Sequence, residues 1–394
     1  MYATQLPVFV LDQYNTAVLE TVRATGNMSP ALVSEELAHV PAKTIRAKRN
    51  SGLRTSNGRE TKNLAWNGGP VNLQCEFGPD SWTNGYVKEN VIAVKALQFQ
   101  DAIYVITPRM KQDVLATLWL INRNKNGVEL QPYPELRDHK LTDCNAIQNA
   151  VDFYLDHLGK LWILDTGVID TLTNPKCTCP PKIVIINLLF GKLTKRIDIS
   201  SSLLEANSLL QNIVVEYDLG GNAFIYASDA SRGAIVVHEL SSGAGWSVIV
   251  CSPATGLQIS LVKRMAHTVL IVVRLHHPGI VELDTTALRR KDSITPLTVF
   301  GEHSKPVVLL GADGYHIYLR HIECSDVLVW NTRDPYNSSR LDNIHSAGPQ
   351  LTTTSVAADP LKPMLLILDS DYLTTLRGNS PTYHKITFVN KKIH

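Results

Sequence analysis

Residues 161–185 read LWILDTGVIDTLTNPKCTCPPKIVI and decide how this chain folds. An apolar strand, Leu161 to Leu164, runs into the turn Asp165-Thr166-Gly167, and the pair Pro180-Pro181 precedes a second, β-branched strand. Short β-branched or aromatic runs bounded by Gly, Pro and Asp are typical of strands joined by turns. We expect this stretch to form one antiparallel unit, the inner hairpin of a larger repeat.

The same pattern, two apolar strands joined by a polar turn, occurs six times in the chain. The first strands are IYVI (103–106), LWIL (161–164), FIYA (224–227), LIVV (270–273), IYLR (317–320) and LLIL (365–368). The second strands are TLWLIN (117–122), KIVIIN (182–187), AIVVHEL (234–240), GIVELD (279–284), DVLVWN (326–331) and KITFV (385–389). Units of about 50 residues have the length of a four-stranded propeller blade, and stacking six blades buries both faces of each sheet. We therefore predict an all-β chain with a six-bladed β-propeller over residues 64–394.

Residues 1–63 differ from the rest, and we predict a poorly ordered N-terminal extension. Between Lys43 and Lys62 there are many basic residues and almost no large apolar ones, which is typical of a solvated linker. Arg46 to Arg49 (RAKR) matches a furin-type cleavage pattern, although an uncleaved linker is the simpler interpretation. Residues 30–40 favour one short helix. The first 20 residues lack a basic n-region and a clean apolar core, so they do not make a convincing signal peptide.

Composition excludes several classes of function. The 394 residues are 44% hydrophobic and 19% charged, as in folded globular proteins, and a net charge of +2 argues against nucleic acid as a partner. No apolar run approaches the roughly 20 residues that a membrane span needs. The six cysteines include Cys177-Thr178-Cys179, whose spacing does not suit a zinc site. One or two disulfides, or free buried thiols, both agree with this count.

Polar residues that end the repeated strands are the candidates for chemistry, because propellers bind ligands at one mouth of the central channel. They are Asp165, Thr166, Ser228, Asp229, Arg274, His276, His277, Arg320, His321, Asp369 and Asp371. The weak catalytic candidates are His276, His277 and Asp229, since imidazole suits proton transfer near neutral pH. The alternative for the aspartates is turn capping. No phosphate loop, nucleophile elbow or metal motif is present, so we expect no cofactor and no metal, and a structural or interaction role is favoured over catalysis.

Seven segments resemble the yellow / major royal jelly protein family. They are residues 130–134 (LQPYP), 143–144 (DC), 161–167 (LWILDTG), 179–182 (CPPK), 212–215 (NIVV), 224–229 (FIYASD) and 329–331 (VWN). The resemblance implies a secreted six-bladed propeller. Family members are linked to dopachrome conversion, nutrition, amine trapping or, in the yellow-g branch, the insect eggshell.

Departures from the family pattern favour the yellow-g branch. Leu158 stands where the family commonly has a cysteine, and Cys75 resembles the early cysteine of that branch, so the resemblance implies a Cys75–Cys144 disulfide. Thr387 stands where salivary members have an amine-binding asparagine, which makes amine capture less favoured. Weak ligand-binding candidates are Phe388, Thr387, Tyr318 and Arg320.

We therefore expect a secreted structural or interaction component of an extracellular matrix such as the eggshell vitelline membrane, with other matrix proteins as partners. Alternatives are a dopachrome-conversion-type tautomerase in melanin formation and a binder of a small aromatic amine. Glycosylation sequons begin at Asn27 and Asn337.

Overall fold

The computed structural model describes residues 63–71, 85–125, 127–264, 267–277, 279–290, 298–300, 306–322, 324–377 and 380–391. The expected extension, except Asn63, therefore lies outside the described residues, as do the RAKR segment, the helix at 30–40, Cys75 and Asn27.

The described chain forms six four-stranded antiparallel sheets arranged as the blades of a propeller. The first strand, β1 (Leu64–Asn67), belongs to the last blade. Blade 1 contains β2 (Lys95–Phe99), β3 (Ala102–Ile106), β4 (Leu118–Asn124) and β5 (Gly127–Pro132). Blade 2 contains β6 (Ala150–Leu155), β7 (Lys160–Asp165), β10 (Lys182–Asn187) and β11 (Lys192–Asp198), with a small side hairpin of β8 (Val168–Ile169) and β9 (Lys176–Cys177).

The remaining blades follow in chain order. Blade 3 contains β12 (Leu210–Tyr217), β13 (Ala223–Asp229), β14 (Ala234–Glu239) and β15 (Gly245–Ile249). Blade 4 contains β16 (Leu257–Lys263), β17 (Thr268–Arg274), β18 (Ile280–Asp284) and β19 (Thr298–Phe300). Blade 5 contains β20 (Val307–Asp313), β21 (His316–His321), β22 (Asp326–Asn331) and β23 (Asp342–Ser346). Blade 6 contains β24 (Thr352–Ala358), β25 (Met364–Ser370), β26 (Tyr383–Asn390) and β1.

Helical segments are short and connect strands. They are α1 (Thr285–Arg289), α2 (Tyr372–Arg377) and the 3-10 turns Lys88–Asn90, Leu136–His139, Ser201–Leu203 and Ser338–Arg340. None of the helices in the described parts of the chain has the length and hydrophobicity needed to span a bilayer.

The predicted six-bladed propeller is confirmed, with one correction to the place of the opening stretch. Strands β7 and β10 pair with each other in the middle of blade 2, and β6 is the innermost strand. Middle strands are covered by neighbouring blades on both faces, so they are apolar throughout and stand out in the sequence. The inner strand β6, AVDFYL, carries polar residues toward the channel and has a weaker pattern. The stretch is thus the middle hairpin of its blade, not the inner one.

The core lies in the gaps between blades. Trp162 and Leu164 of blade 2 pack with Ile213 and Ile225 of blade 3, and corresponding clusters fill the gaps between blades 3 and 4, 4 and 5, 5 and 6, and 6 and 1. Each fully buried large apolar side chain contributes about 1.5–3 kcal/mol. The hydrophobic effect therefore stacks the blades as well as forming them.

The ring is closed by the first strand. Strand β1 pairs antiparallel with β26 over Leu64↔Ile386 to Asn67↔Tyr383, so the earliest described residues complete the last blade. Trp66 stacks on His384 with ring centroids 5.0 Å apart. His384 Nε2 accepts a hydrogen bond of 2.9 Å from the Ala93 amide, which precedes blade 1. Burial lowers the pKa of His384 to about 3, so this closure is made by a neutral imidazole.

Polar side chains tie neighbouring inner strands together near their first residues. The bonds run from Ile213 N to Asp152 Oδ2 (2.9 Å), Leu257 N to Gln211 Oε1 (2.7 Å), Leu309 N to Gln258 Oε1 (2.8 Å) and Ala96 N to Ser355 Oγ (3.2 Å). The inner strands therefore start at the same level. We call the side where they start the upper face and the side where they end the lower face.

Candidate functional site

A central channel of about 850 Å³ is the candidate site. The six inner strands form its wall, and turns on the lower face widen it toward solvent. Ligand sites in propellers form on such walls and loops, so the polar groups that reach into this space are the ones that matter for binding.

Two ion pairs fix lysines of the channel wall, one between Lys391 and Asp313 and one between Lys95 and the buried Asp152. Lys95 Nζ lies 2.5 Å from Asp152 Oδ1 and 3.1 Å from the Phe153 carbonyl. Asp152 Oδ2 accepts from the Ile213 amide and, at 3.2 Å, from Asn212 Nδ2. Asp152 is buried and both of its carboxylate oxygens have partners. It therefore fixes the positions of the Lys95 and Asn212 side chains. Asn212 Oδ1 is buried and has no hydrogen-bond partner, which leaves one carbonyl acceptor at the wall.

Further polar atoms without partners line the lower part of the channel. Asp359 Oδ1 accepts from the amides of Leu361 (2.8 Å) and Lys362 (3.0 Å), whereas its Oδ2 is buried and unpaired. His316 Nδ1 is also buried and unpaired, and burial, with a smaller effect of Lys391, lowers its pKa. A buried polar atom without a partner costs free energy, so these groups favour a bound water or ligand.

The predicted acid–base residues lie elsewhere. Asp229 is completely buried and accepts from the Leu209 amide (2.8 Å) and from the hydroxyls of Ser208 (2.6 Å) and Ser231 (3.0 Å). It therefore caps the turn that leads into blade 3. His276 and His277 are exposed in the upper-face turn after β17, where His276 has a φ of 65°. The structure does not bring these three residues together at the channel wall.

Two further carboxylates at strand ends, Asp165 and Asp369, also have partners within the chain. Asp165 accepts from the amides of Gln148 and Asn149, each at 2.8 Å, and from Gly167 at 3.0 Å. Asp369 accepts from Thr353 Oγ1 at 2.7 Å and contacts His345 Nε2 at 2.9 Å. The capping interpretation accounts for Asp165, whereas Asp369 binds the side chains of Thr353 and His345.

The ligand-binding candidates are also displaced from the channel, because they lie on second or third strands. Tyr318 and Arg320 are buried on β21, and Arg320 donates to the carbonyls of Thr353 (2.9 Å) and Ile322 (3.0 Å). Thr387 and Phe388 lie on β26, the third strand of blade 6. The Thr387 hydroxyl is buried without a partner. None of the four lines the channel, so the change to Thr387 does not alter its wall.

The cysteine pairing differs from the expectation. Cys144 is bonded to Cys179, 35 residues away, so the expected partner Cys75 is wrong for Cys144. The signature turn explains the pairing: Gly167 has a φ of 67°, and its carbonyl accepts from the Thr178 amide at 2.8 Å. A Cβ at Gly167 would lie 1.9 Å from the Cys179 carbonyl oxygen. Only glycine therefore lets the Cys179 segment lie this close.

Three further cysteines in the described chain are free. Cys177 is exposed, and Cys251 and Cys324 are half-buried. The Cys177 thiol lies on the side hairpin, two residues from the disulfide, with its sulfur 3.7 Å from the Cys179 carbonyl. Burial raises the pKa of Cys251. Cys177 is thus the accessible thiol of the three.

An arginine that the sequence did not single out lies at the boundary between blades 1 and 2, on the upper face. We call this boundary the seam. Arg109 is 2% exposed, and its guanidinium donates to the carbonyls of Val114 (2.8 Å), Leu115 (2.6 Å), His139 (2.7 Å), Ile147 (3.3 Å) and Gln148. Burial lowers its pKa to about 10, and the charges of Asp165 and Asp170 oppose that shift. Nearby, Lys182 Nζ contacts Asp165 Oδ2 at 2.8 Å, with both side chains buried. The signature stretch is therefore part of a buried polar seam.

The sequon residue Asn337 is exposed and precedes a 3-10 turn. Its Oδ1 accepts from the amide (3.0 Å) and the hydroxyl (2.7 Å) of Ser339. The side chain is accessible to modification.

Sequence comparisons match the central part of the chain. Residues 148–252 match the family model described as major royal jelly protein. Protein yellow of Drosophila melanogaster is 29% identical over 171 residues, which cover 41% of this chain and 31% of that protein. Protein yellow of Drosophila madeirensis is 31% identical over 171 residues, covering 41% and 29%. The match thus spans less than a third of the length of these relatives.

Solved structures give weaker similarities. A chain of a nidogen/laminin complex aligns with a TM-score of 0.44 and 11% identity, covering 74% of this chain and 99% of that chain. An auxiliary nutrient binding protein from Bacteroides ovatus aligns with a TM-score of 0.45 and 12% identity, covering 83% and 76%. These scores are too low to inform function.

The family match covers the stretch that opened the sequence analysis. Residues 148–252 span β6 to β15, which form blades 2 and 3, and include the LWILDTG and CPPK segments. The signature turn, its glycine and Cys179 fall within it, whereas Cys144, the disulfide partner of Cys179, lies just before it. The comparisons therefore show that blades 2 and 3 of this chain are similar to the yellow / major royal jelly protein family.

Proposed function

We propose that this protein is a structural or interaction component of an extracellular matrix such as the insect eggshell, most like the yellow-g branch. The observation that carries the proposal is the exposed Cys177 thiol beside the closed Cys144–Cys179 disulfide. Disulfides persist in oxidising compartments, and an accessible extra thiol there forms bonds to other chains. Cys177 would thus attach the propeller covalently to a matrix partner.

The resemblance supports the same location, since family members are secreted. Asn337 adds an exposed sequon on the propeller. The predicted partners are other matrix proteins that present a cysteine.

The test combines localisation with cross-linking. Antibody staining of ovaries should place the protein in follicle cells and eggshell, and non-reducing electrophoresis should show it in disulfide-linked species. Cys177→Ser should remove those species, whereas the matched variant Cys324→Ser, at a half-buried thiol, should not. Absence from the eggshell, or peptide mapping that finds Cys177 bonded to Cys75 of the same chain, would reject the proposal.

A second function, binding of a small polar ligand such as an aromatic amine, is favoured by the channel. Three buried atoms lining it have no partner: Asn212 Oδ1, Asp359 Oδ2 and His316 Nδ1. The two oxygens are acceptors, which suits the ammonium or hydroxyl groups of such a ligand.

Calorimetry with serotonin, dopamine and octopamine tests this second function. Asp359→Asn should weaken binding at least tenfold, because an amide attracts an ammonium group less than a carboxylate does. Asp326→Asn, at the half-exposed start of β22, is the control. No heat from any of the three amines would remove this function and leave the matrix proposal standing. The tautomerase alternative predicts faster decay of dopachrome, and an unchanged rate would remove it.

A further inference from the structure

Large exposed apolar side chains are concentrated on the lower face. The described chain exposes seven of them: Leu141, Leu158, Leu189, Phe190, Leu219, Ile249 and Leu361. Five of these lie in lower-face turns. Leu158, Leu219 and Leu361 are in the turns between the first and second strands of blades 2, 3 and 6. Leu189 and Phe190 are in the turn between β10 and β11 of blade 2. The other two, Leu141 and Ile249, are on the upper face. We call the five residues the lower-face tips.

The tips lie on three of the four consecutive blades 6, 1, 2 and 3, and we call the lower-face turns of these four blades the arc. The Lys362 ammonium of blade 6 contacts Asp101 of blade 1 at 3.2 Å. The Leu188 amide donates to the Gly159 carbonyl at 2.9 Å, which joins the two turns of blade 2. His157 of blade 2 meets Tyr217 of blade 3 edge-on, with ring centroids 5.0 Å apart. The tips therefore belong to one surface.

Each turn is held rigidly, with its apolar side chain outward. Asp156 Oδ1 accepts from the Leu158 amide (2.9 Å), Asn187 Oδ1 from the Leu189 amide (3.0 Å) and Asp359 Oδ1 from the Leu361 amide (2.8 Å). Such side-chain-to-backbone bonds define the turn. Phe190 is 73% exposed and Leu361 is 65% exposed, so the folded chain does not cover them.

Basic residues follow the tips in sequence. Lys160 comes two residues after Leu158, Lys192 two after Phe190 and Lys362 one after Leu361. The carboxylates Asp156 and Asp359 are buried and bind backbone amides, which leaves the exposed Asp101 and the half-buried Asp218, beside Leu219, as acidic groups of the arc. The contact of Asp101 with Lys362 is a surface pair, which contributes little. The arc is therefore apolar at its tips, and lysines outnumber the exposed carboxylates around the tips of blades 2 and 6.

We propose that the lower face docks onto a lipid bilayer that bears anionic headgroups. A bilayer interface takes up separate protruding Leu and Phe side chains without a complementary groove, and flanking lysines place their stems in the apolar zone and their ammonium groups at the phosphates. A second copy of the same face is disfavoured because both surfaces carry the same positive charge. The inference is independent of the matrix proposal, because Cys177 follows β7 on the upper face.

Vesicle co-sedimentation of the intact protein tests this docking. Binding should be at least tenfold stronger to vesicles of equal parts phosphatidylcholine and phosphatidylserine than to pure phosphatidylcholine, and salt should weaken it. Leu189→Ser with Phe190→Ser should lower binding at least tenfold. The matched control, Leu141→Ser with Ile249→Ser, removes exposed apolar side chains from the upper face and should leave binding unchanged.

A second variant separates the charge from the apolar contribution. Lys160→Gln, Lys192→Gln and Lys362→Gln together should abolish the preference for the anionic vesicles while circular dichroism stays unchanged. No binding to either vesicle, or equal losses in the tip and control variants, would overturn the inference. Self-association that the tip variant removes in the absence of vesicles would overturn it in favour of a second copy.

Discussion

The upper seam between blades 1 and 2 and the lower face use polar and apolar groups in opposite ways. In the seam, Arg109 and Asp165 are buried and hydrogen-bonded within the chain, and the buried Lys182 ammonium contacts Asp165 as an ion pair without a hydrogen bond. On the lower face, Phe190 and Leu361 are exposed, and the channel above them keeps unpaired acceptors. The difference indicates that the family signature maintains the fold and that the lower half of the propeller is open to partners.

The largest effect is expected at Arg109. Arg109→Met keeps the length of the side chain but leaves five carbonyl groups without a donor, so the free energy of unfolding should fall by about 3–5 kcal/mol. Denaturant unfolding measures it. Arg123→Met, at an exposed residue of the β4–β5 hairpin, should change stability by less than about 0.5 kcal/mol. Equal losses of unfolding free energy in the two variants would remove the distinction between the buried seam and the exposed lower face.

Removal of the disulfide next to the seam should have the second-largest effect on the free energy of unfolding. Cys144→Ser with Cys179→Ser frees a loop of 35 residues and should lower the free energy of unfolding by about 2–4 kcal/mol. Peptide mapping under non-reducing conditions provides the check on connectivity. A Cys75–Cys144 peptide would contradict the pairing described above.

Acid should lower the stability of the propeller, because its buried histidines are neutral in the folded chain. Burial lowers the pKa of His139 and His384 to about 3 in the folded chain, below the ordinary value of 6.5. The unfolded chain therefore binds more protons as the pH falls below 6.5, and stability should be lost progressively down to about pH 3. At about pH 4.5, two pH units below the ordinary value, the loss is roughly 3 kcal/mol for each histidine.

The His384→Gln variant tests this loss directly. Its amide oxygen can accept from the Ala93 amide in place of Nε2 and carries no titrating proton. Urea unfolding should depend less steeply on pH in this variant than in the unmodified protein. An unchanged slope would show that His384 is not the acid-sensitive group.

The smallest effect is expected at the exposed histidine pair. His276→Ala with His277→Ala should leave the free energy of unfolding within about 0.5 kcal/mol, since both side chains are exposed on the upper face. Amine calorimetry on the same variant should also be unchanged, because neither residue lines the channel. A loss of amine binding would place the ligand site on the upper face.

The sequence predicted the blades because their middle strands are apolar on both faces, as in LWIL and KIVIIN of blade 2. It placed this hairpin too far inward, since the inner strand β6 mixes Asp152 with apolar residues. Turn capping by Asp165 and Asp229 followed from the chemistry of aspartate after a strand. The channel wall could not be predicted, because Lys95, Asp152 and Asn212 come from three consecutive blades and meet only when the inner strands of these blades pack side by side.

The cysteine pairing could not be predicted for the same reason, because it depends on contacts between segments that are distant in the sequence. Cys179 lies next to Cys144 because Gly167 allows two backbone segments to approach closely, and no spacing rule shows this. Arg109 was missed because its partners are backbone carbonyls, which leave no pattern in the sequence.

The unfolding free energy of Asp165→Asn compared with that of Leu189→Ser tests the central claim most directly. Asp165→Asn leaves the Lys182 ammonium buried without its counter-charge, so stability should fall by about 3–5 kcal/mol. Leu189→Ser changes an exposed tip and should alter stability by less than about 0.5 kcal/mol. Similar losses in both variants, or a stable Asp165→Asn protein, would contradict the assignment of the signature to the fold and of the lower face to binding.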